Sequence, residues 1–133
     1  MALDVGDRRI GVAVSDSLGI TAQPVGMIER VGWGPDVRRI GEYAQAYGAQ
    51  TILCGLPRNM DGSYGPQAEK VRVFAQQLEK AGYVVVFWDE RLSTVTAERV
   101  LIEGGVRRQA RKGVVDQTAA VIILQAYMDA QQR

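Results

Sequence analysis

Two apolar runs near the start of the chain, Ala2 to Val5 and Ile10 to Ser15, are separated only by Gly6-Asp7-Arg8-Arg9. So short a link, rich in glycine and charge, returns the chain antiparallel, because parallel neighbours need a crossover of a dozen or more residues. The chain therefore opens on a β-hairpin. Gly11, inside the second run, suggests a close backbone approach. A third strand is expected from Pro24 to Glu29, with Pro24 at its start, where a missing N–H is tolerated.

Beyond the hairpin the apolar period lengthens. Val37, Ile40, Ala44 and Tyr47 recur at helical spacing, with Asp36 as the expected N-cap and Gly48 as the stop. Thr51 to Gly55 reads as a short strand and Leu56 to Pro66 as a loop of Gly, Pro, Asn and Asp. Gln67 to Ala81 is the clearest helix: Val71, Phe74, Ala75 and Leu78 form one stripe, and Gly82 sits at its end. Tyr83 to Trp88 is nearly all β-branched or aromatic, which suits a strand buried on both faces in parallel pairing. Ser93 can cap a helix running to Glu103, stopped by Gly104-Gly105. Arg107 to Gly113 reads as a basic loop. The last helix begins near Asp116, and Ala119 to Leu124 is apolar on nearly every side, as a buried helix is. Helix crossovers after an opening hairpin predict one α/β domain over residues 1–133, with a mixed sheet.

The whole chain has 133 residues and a net charge of +1, so a polyanionic partner must be met by local clusters. No apolar window approaches a membrane span, and the first residues carry no basic, apolar leader, so the expected compartment is the cytoplasm. The sequence contains no histidine. That excludes Ser-His-Asp triads, histidine acid–base chemistry and His-ligated zinc. The single cysteine, Cys54, excludes a multi-cysteine zinc site and reads as a small buried hydrophobe. Tyr43, Tyr47, Phe74 and Trp88 fall on expected core faces, and Trp33 is the aromatic expected to be exposed.

Three acidic positions stand where buried elements meet their ends: Asp4 in the first strand, Glu90 after Trp88, and Asp116 opening the last helix. If the first and fifth strands are close neighbours and the helix packs across them, these carboxylates converge. Clustered anions raise one another's pKa unless a cation neutralises them, and hard oxygen ligands suit Mg²⁺ or Mn²⁺. Two such ions, about 3.5–4 Å apart, would stabilise both the attacking and the leaving oxygen of an in-line displacement. Each acid also has a plainer reading. Asp4 can cap the hairpin turn, Asp116 can be only an N-cap, and Glu90 can pair with Arg91 or Arg99. Asp89 competes with Glu90, since strand alternation puts one on each face. Arg8 and Arg9 in the hairpin turn, Arg58 and Asn59 in the glycine-rich loop, Arg91, and the run Arg107, Arg108, Arg111 and Lys112 are candidate contacts to a nucleic-acid backbone. They also suit solvated turns.

The motifs resemble a known family. Leu3-Asp4-Val5-Gly6 with Arg9-Ile10-Gly11-Val12-Ala13-Val14-Ser15-Asp16 is similar to the opening of the YqgF/RuvX family. So are Gly55-Leu56-Pro57-Arg58-Asn59-Met60-Asp61-Gly62 continuing to Gly65-Pro66-Gln67-Ala68, Trp88-Asp89-Glu90-Arg91-Leu92-Ser93-Thr94, and Val115-Asp116-Gln117-Thr118-Ala119-Ala120 with Ile123-Leu124-Gln125, in that order along the chain. Ser93 stands where threonine is usual. The resemblance implies an RNase H-like fold, a five-stranded mixed sheet flanked by helices. It implies a metal-dependent, Holliday-junction-resolvase-like nuclease that matures the 5′ end of pre-16S ribosomal RNA, with Asp4, Glu90 and Asp116 as metal ligands. RNA or branched DNA would be the partner, and the chain a monomer or homodimer. Alternatives are a junction resolvase in DNA recombination or repair, a non-catalytic nucleic-acid-binding module, and an ATP-binding domain, since Asp4-Val5-Gly6 before a glycine-bearing strand also resembles a phosphate-binding hairpin.

Overall fold

The computed structural model describes the backbone of residues 1–93 and 111–131 and the side chains of residues 1–92 and 119–131. The opening hairpin forms as expected. β1 (Ala2–Val5) and β2 (Arg9–Ser15) pair antiparallel, with Leu3 opposite Val12 and Asp4 opposite Gly11. The Gly6 N–H donates to the Arg9 carbonyl (2.8 Å) and closes the turn. β3 (Ala22–Glu29) returns antiparallel along β2. It starts before Pro24, so the proline lies inside the strand. The strand is at the sheet edge, and its register shifts between Val12 and Ala13, where Pro24 pairs, so no ladder bond depends on the missing N–H.

The remaining elements are α1 (Trp33–Tyr47), β4 (Thr51–Leu56), α2 (Pro66–Lys80), β5 (Val84–Asp89), a 3₁₀ turn (Glu90–Ser93) and α3 (Arg111–Gln131). α1 ends at Gly48, which takes the left-handed conformation at φ 68°. α2 starts on Pro66, whose missing N–H costs nothing at a first helical position. The five strands run in the order β3-β2-β1-β4-β5, and β4 is parallel to both β1 and β5. The expected mixed α/β sheet is what the chain builds.

Besides Pro24, four local readings differ from the structure. Asp36 is not the N-cap: α1 begins at Trp33, and Asp36 lies buried in its first turn. From there it accepts hydrogen bonds from the Val31 N–H (3.0 Å) and from Arg30 Nε (3.4 Å), so it pins the helix entry from within. Tyr47 continues the apolar stripe but ends the helix, and it is exposed. β5 pairs in parallel as expected but lies at the sheet's rim, with Val84 and Phe87 exposed, not buried on both faces. α3 begins at Arg111, so Arg111, Lys112 and Gly113 are helical where a loop was expected. The expected helix from Ser93 to Glu103 lies outside the described residues beyond the 3₁₀ turn, as do Arg99, Arg107 and Arg108.

Strand alternation divides the core into two layers. Leu3, Val5, Ile10, Val12, Ile52, Cys54 and Leu56 face α1 and α2, where Ile40, Val71, Phe74 and Leu78 meet them. Ala2, Ala13 and Leu53 face the other way, against Ala120, Val121, Ile123, Leu124 and Met128 of α3. The buried α3 foreseen from Ala119 to Leu124 is therefore present. The Gln125 amide ties it to the β3 edge, accepting from the Ala22 N–H (2.9 Å) and donating to the Ile20 carbonyl (3.0 Å).

Candidate active site

Ala2 and Asp4 share a face of β1, and Ala2 packs under α3, so Asp4 projects on the α3 side. It is only partly exposed. Gly11 lies opposite it on β2. On the other side the parallel register pairs Leu3 with Cys54, and one step further Asp4 falls alongside Gly55. The acid is thus flanked by two strands with no side chain at its level.

Gly55 in turn pairs with Trp88 of β5, and Glu90 follows just beyond that strand. A Cβ at Gly55 would lie 2.7 Å from Glu90 Oε1 and 2.5 Å from Ile123 Cδ1. Only bare backbone lets both the carboxylate and the helix side chain settle onto β4 here. β1 and β5 are not adjacent, as the convergence of their acids had assumed. β4 separates them, and Glu90 reaches over it through the gap Gly55 leaves.

The electrostatics bear this out. The Glu90 carboxyl is pushed up to about 7, first by burial, then by the negative charge of Asp4, then by that of Asp89. Asp89 points elsewhere. It accepts from Arg91 Nη2 (2.9 Å) and Arg58 Nη1 (3.3 Å), and the Arg91 hydrogen bonds hold its carboxyl below the usual range. The two neighbours differ in setting: Asp89 is paired with guanidinium groups, whereas Glu90 is half-buried with the charges of Asp4 and Asp89 acting on it.

The basic candidates fall into distinct settings. Arg8 and Arg9 are exposed at the hairpin turn, at the same sheet end as Glu90. Arg91 is exposed beside Asp89. Arg58 is largely spent inside its own loop, where Nε donates to the Gly62 carbonyl (2.9 Å). Asn59 donates to the Ser63 hydroxyl (3.0 Å). Arg111 and Lys112 lie in α3, with side chains outside the described residues.

The donor chemistry suits a hard divalent cation. Asp4 lies near enough for its charge to act on Glu90, no histidine exists in the chain, and the only thiol is on the opposite face of the sheet from α3. Burial pushes that Cys54 thiol up to about 12, which removes it as a ligand or nucleophile. Among the described residues no three such side chains gather as a metal-binding group. The third expected acid, Asp116, lies in α3 one turn before Ala120, and its side chain is outside the described residues.

Reading the sequence alone missed Gly55 and Gln125. The first was visible as a glycine closing an apolar strand, but the space it leaves depends on α3. The second stands in a stretch that resembles the family's closing motif, but its tie to Ala22 and Ile20 joins residues more than a hundred positions apart.

Residues 1–130 match the RuvX family, described as Holliday junction resolvase. The chain is 53% identical over 131 residues to a protein of Heliobacterium modesticaldum, covering 98% of this chain and 88% of that one. It is 53% identical over 130 residues to a protein of Clostridioides difficile, covering 97% and 92%. Both relatives carry the name pre-16S rRNA nuclease. Among solved structures, the fold is similar to T. thermophilus RuvC in complex with a Holliday junction substrate, with a TM-score of 0.56, 13% identity, and coverage of 98% of this chain and 92% of that one.

Proposed function

The chain belongs to the RuvX family, and on that premise we propose that it is a divalent-metal-dependent nuclease acting on the 5′ end of pre-16S ribosomal RNA. The observation that carries the reading is Glu90 seated over the bare backbone of Gly55, where the charge of Asp4 adds to burial in raising its pKa. A half-buried carboxylate whose pKa is raised by burial and by a second acid favours a cation beside it. Asp4, Glu90 and Asp116 would hold Mg²⁺ or Mn²⁺. Asp116 stands in α3 seven residues, about two turns, before Ile123, which itself lies over Gly55. When bound, the metal supplies an activated water and charge stabilisation for the leaving 3′ oxygen.

The chain's own residues do the rest. Asp4 and Glu90 set the position of the reacting phosphate relative to the sheet end. Arg8, Arg9 and Arg91 stand around that end and would hold backbone phosphates on either side of it. Arg58 braces the loop beside them. α3 lies over the site, with Ile123 against Gly55.

The family's description favours a second substrate, a four-way DNA junction. A symmetric junction would call for a homodimer, whereas RNA trimming needs only a monomer. No described helix is long and apolar enough to cross a membrane, and a role in ribosome assembly would place the chain in the cytoplasm. The deciding experiment is cleavage with Mg²⁺ or Mn²⁺ of a pre-16S fragment, single-stranded DNA and a four-way junction, beside Asp4→Asn. Cleavage by the wild type alone supports the reading. Absence of cleavage of every substrate, with tight ATP binding by calorimetry, would favour the phosphate-hairpin alternative.

A further inference from the structure

The loop between β4 and α2 is braced throughout. The Asn59 N–H donates to the Ser63 carbonyl (2.8 Å), and the Gly62 N–H to the Asn59 carbonyl (2.9 Å). Ser63 donates its N–H (2.9 Å) and its hydroxyl to Asp61. Arg58 holds the Gly62 carbonyl from one side and Asp89 from the other. The Tyr64 ring is taken by two guanidinium groups, Arg58 at 4.6 Å and Arg72 at 4.4 Å from its centroid. Arg58, Asn59, Asp61, Ser63 and Tyr64 are therefore all committed within the protein. Met60, between them, is 100% exposed.

Single exposed apolar side chains usually need no explanation. This one is presented by a loop fixed in place around it, at the sheet end that carries Glu90, and the Arg58–Asp89 pair ties that loop to the residue before Glu90. Resting on the nuclease reading above, we propose that Met60 is a wedge that inserts against an unstacked base next to the bond to be cut. Apolar side chains, methionine among them, part base steps in this way, and the flexible thioether adapts to any base. A loop already rigid loses little entropy when it does so. The neighbouring Arg91 would hold the adjacent phosphate while the base is displaced.

The test places 2-aminopurine at successive positions around the cleaved bond of the best substrate and binds it to the Asp4→Asn protein, which leaves the strand intact. Fluorescence is expected to rise severalfold at one position. Adding Met60→Ala returns it to the free-strand level, and adding Met60→Leu preserves it. In the otherwise wild-type protein, Met60→Ala slows single-turnover cleavage about tenfold at saturating substrate. Because the side chain touches nothing, its removal leaves the thermal midpoint unchanged, which separates a wedge from a structural role. Strands that are bound and cleaved with the same fluorescence profile whether or not Met60 is present overturn the wedge alone. Strands that the wild type neither binds nor cleaves overturn it together with the nuclease reading.

Discussion

The two faces of the sheet are built to different rules. Toward α1 and α2 the strands present Leu3, Ile10, Val12, Ile52 and Leu56, and every gap is filled with hydrocarbon. Toward α3 they present Ala2, Gly11, Ala13 and Gly55, and into the space so left come Asp4 and Glu90. The first face holds the fold together. The second is pared to alanine and glycine around Asp4, which lets a helix come close, and it leaves Glu90 in an environment that disfavours its charge. A single sheet can carry both because alternate residues never share a side.

The sharpest way to test that division is to neutralise an acid. Asp4→Asn, or Asp116→Asn, is expected to lower cleavage more than about a hundredfold while the circular dichroism spectrum is unchanged. Full activity in either variant would remove that residue from the site. The converse change is on the filled face. Phe74, 1% exposed, is expected to cost about 3–5 kcal/mol when replaced by alanine. Denaturant titration measures that loss, and activity per folded molecule should stay within about twofold. A matching collapse in the turnover of folded protein would show that the faces are not independent.

Gly55→Ala probes the seam between them. The added methyl meets Ile123 and Glu90, so a stability loss of about 1–3 kcal/mol is expected together with a fall in cleavage. Shortening the obstacle with Ile123→Val should recover stability but not activity, because Glu90 stays displaced. Recovery of both would mean that the carboxylate's seat does not matter. The smallest effect concerns protons. In the ion-free protein Glu90 titrates near 7 against an ordinary 4.5. The folded state therefore holds a proton that the unfolded chain gives up. Stability is full below about 4.5, declines as pH rises toward about 7, and then levels off. Glu90→Gln should abolish that decline, worth on the order of 1 kcal/mol after discounting for screening of a partly exposed group. Melting curves across that range, in chelator, would show it. An unchanged slope would mean that burial and Asp4 do not act on Glu90 as described.

How much of this the chain announced depends on the range of the forces involved. The hairpin was legible because four linking residues allow no other return. α1 and α2 were legible because their stripes repeat at helical spacing. Pro24 was misplaced because its tolerance comes from a bulge made with β2, a partner that local composition does not name. β5 was taken as buried on both faces because its side chains are apolar, whereas its place at the rim is set by strand order. The three acids stood out as charges among buried elements, but the different settings of Asp89 and Glu90 depend on the register that puts Gly55 beside Trp88.

Cys54 carries one more consequence. Alkylating dyes attack the thiolate, and this sulfur is fully buried in the central parallel strand, with a pKa near 12. It should stay dark to such reagents until β4 separates from its neighbours. The rate at which it takes up label then serves as a clock for the opening of the sheet's interior, with no engineered tag required.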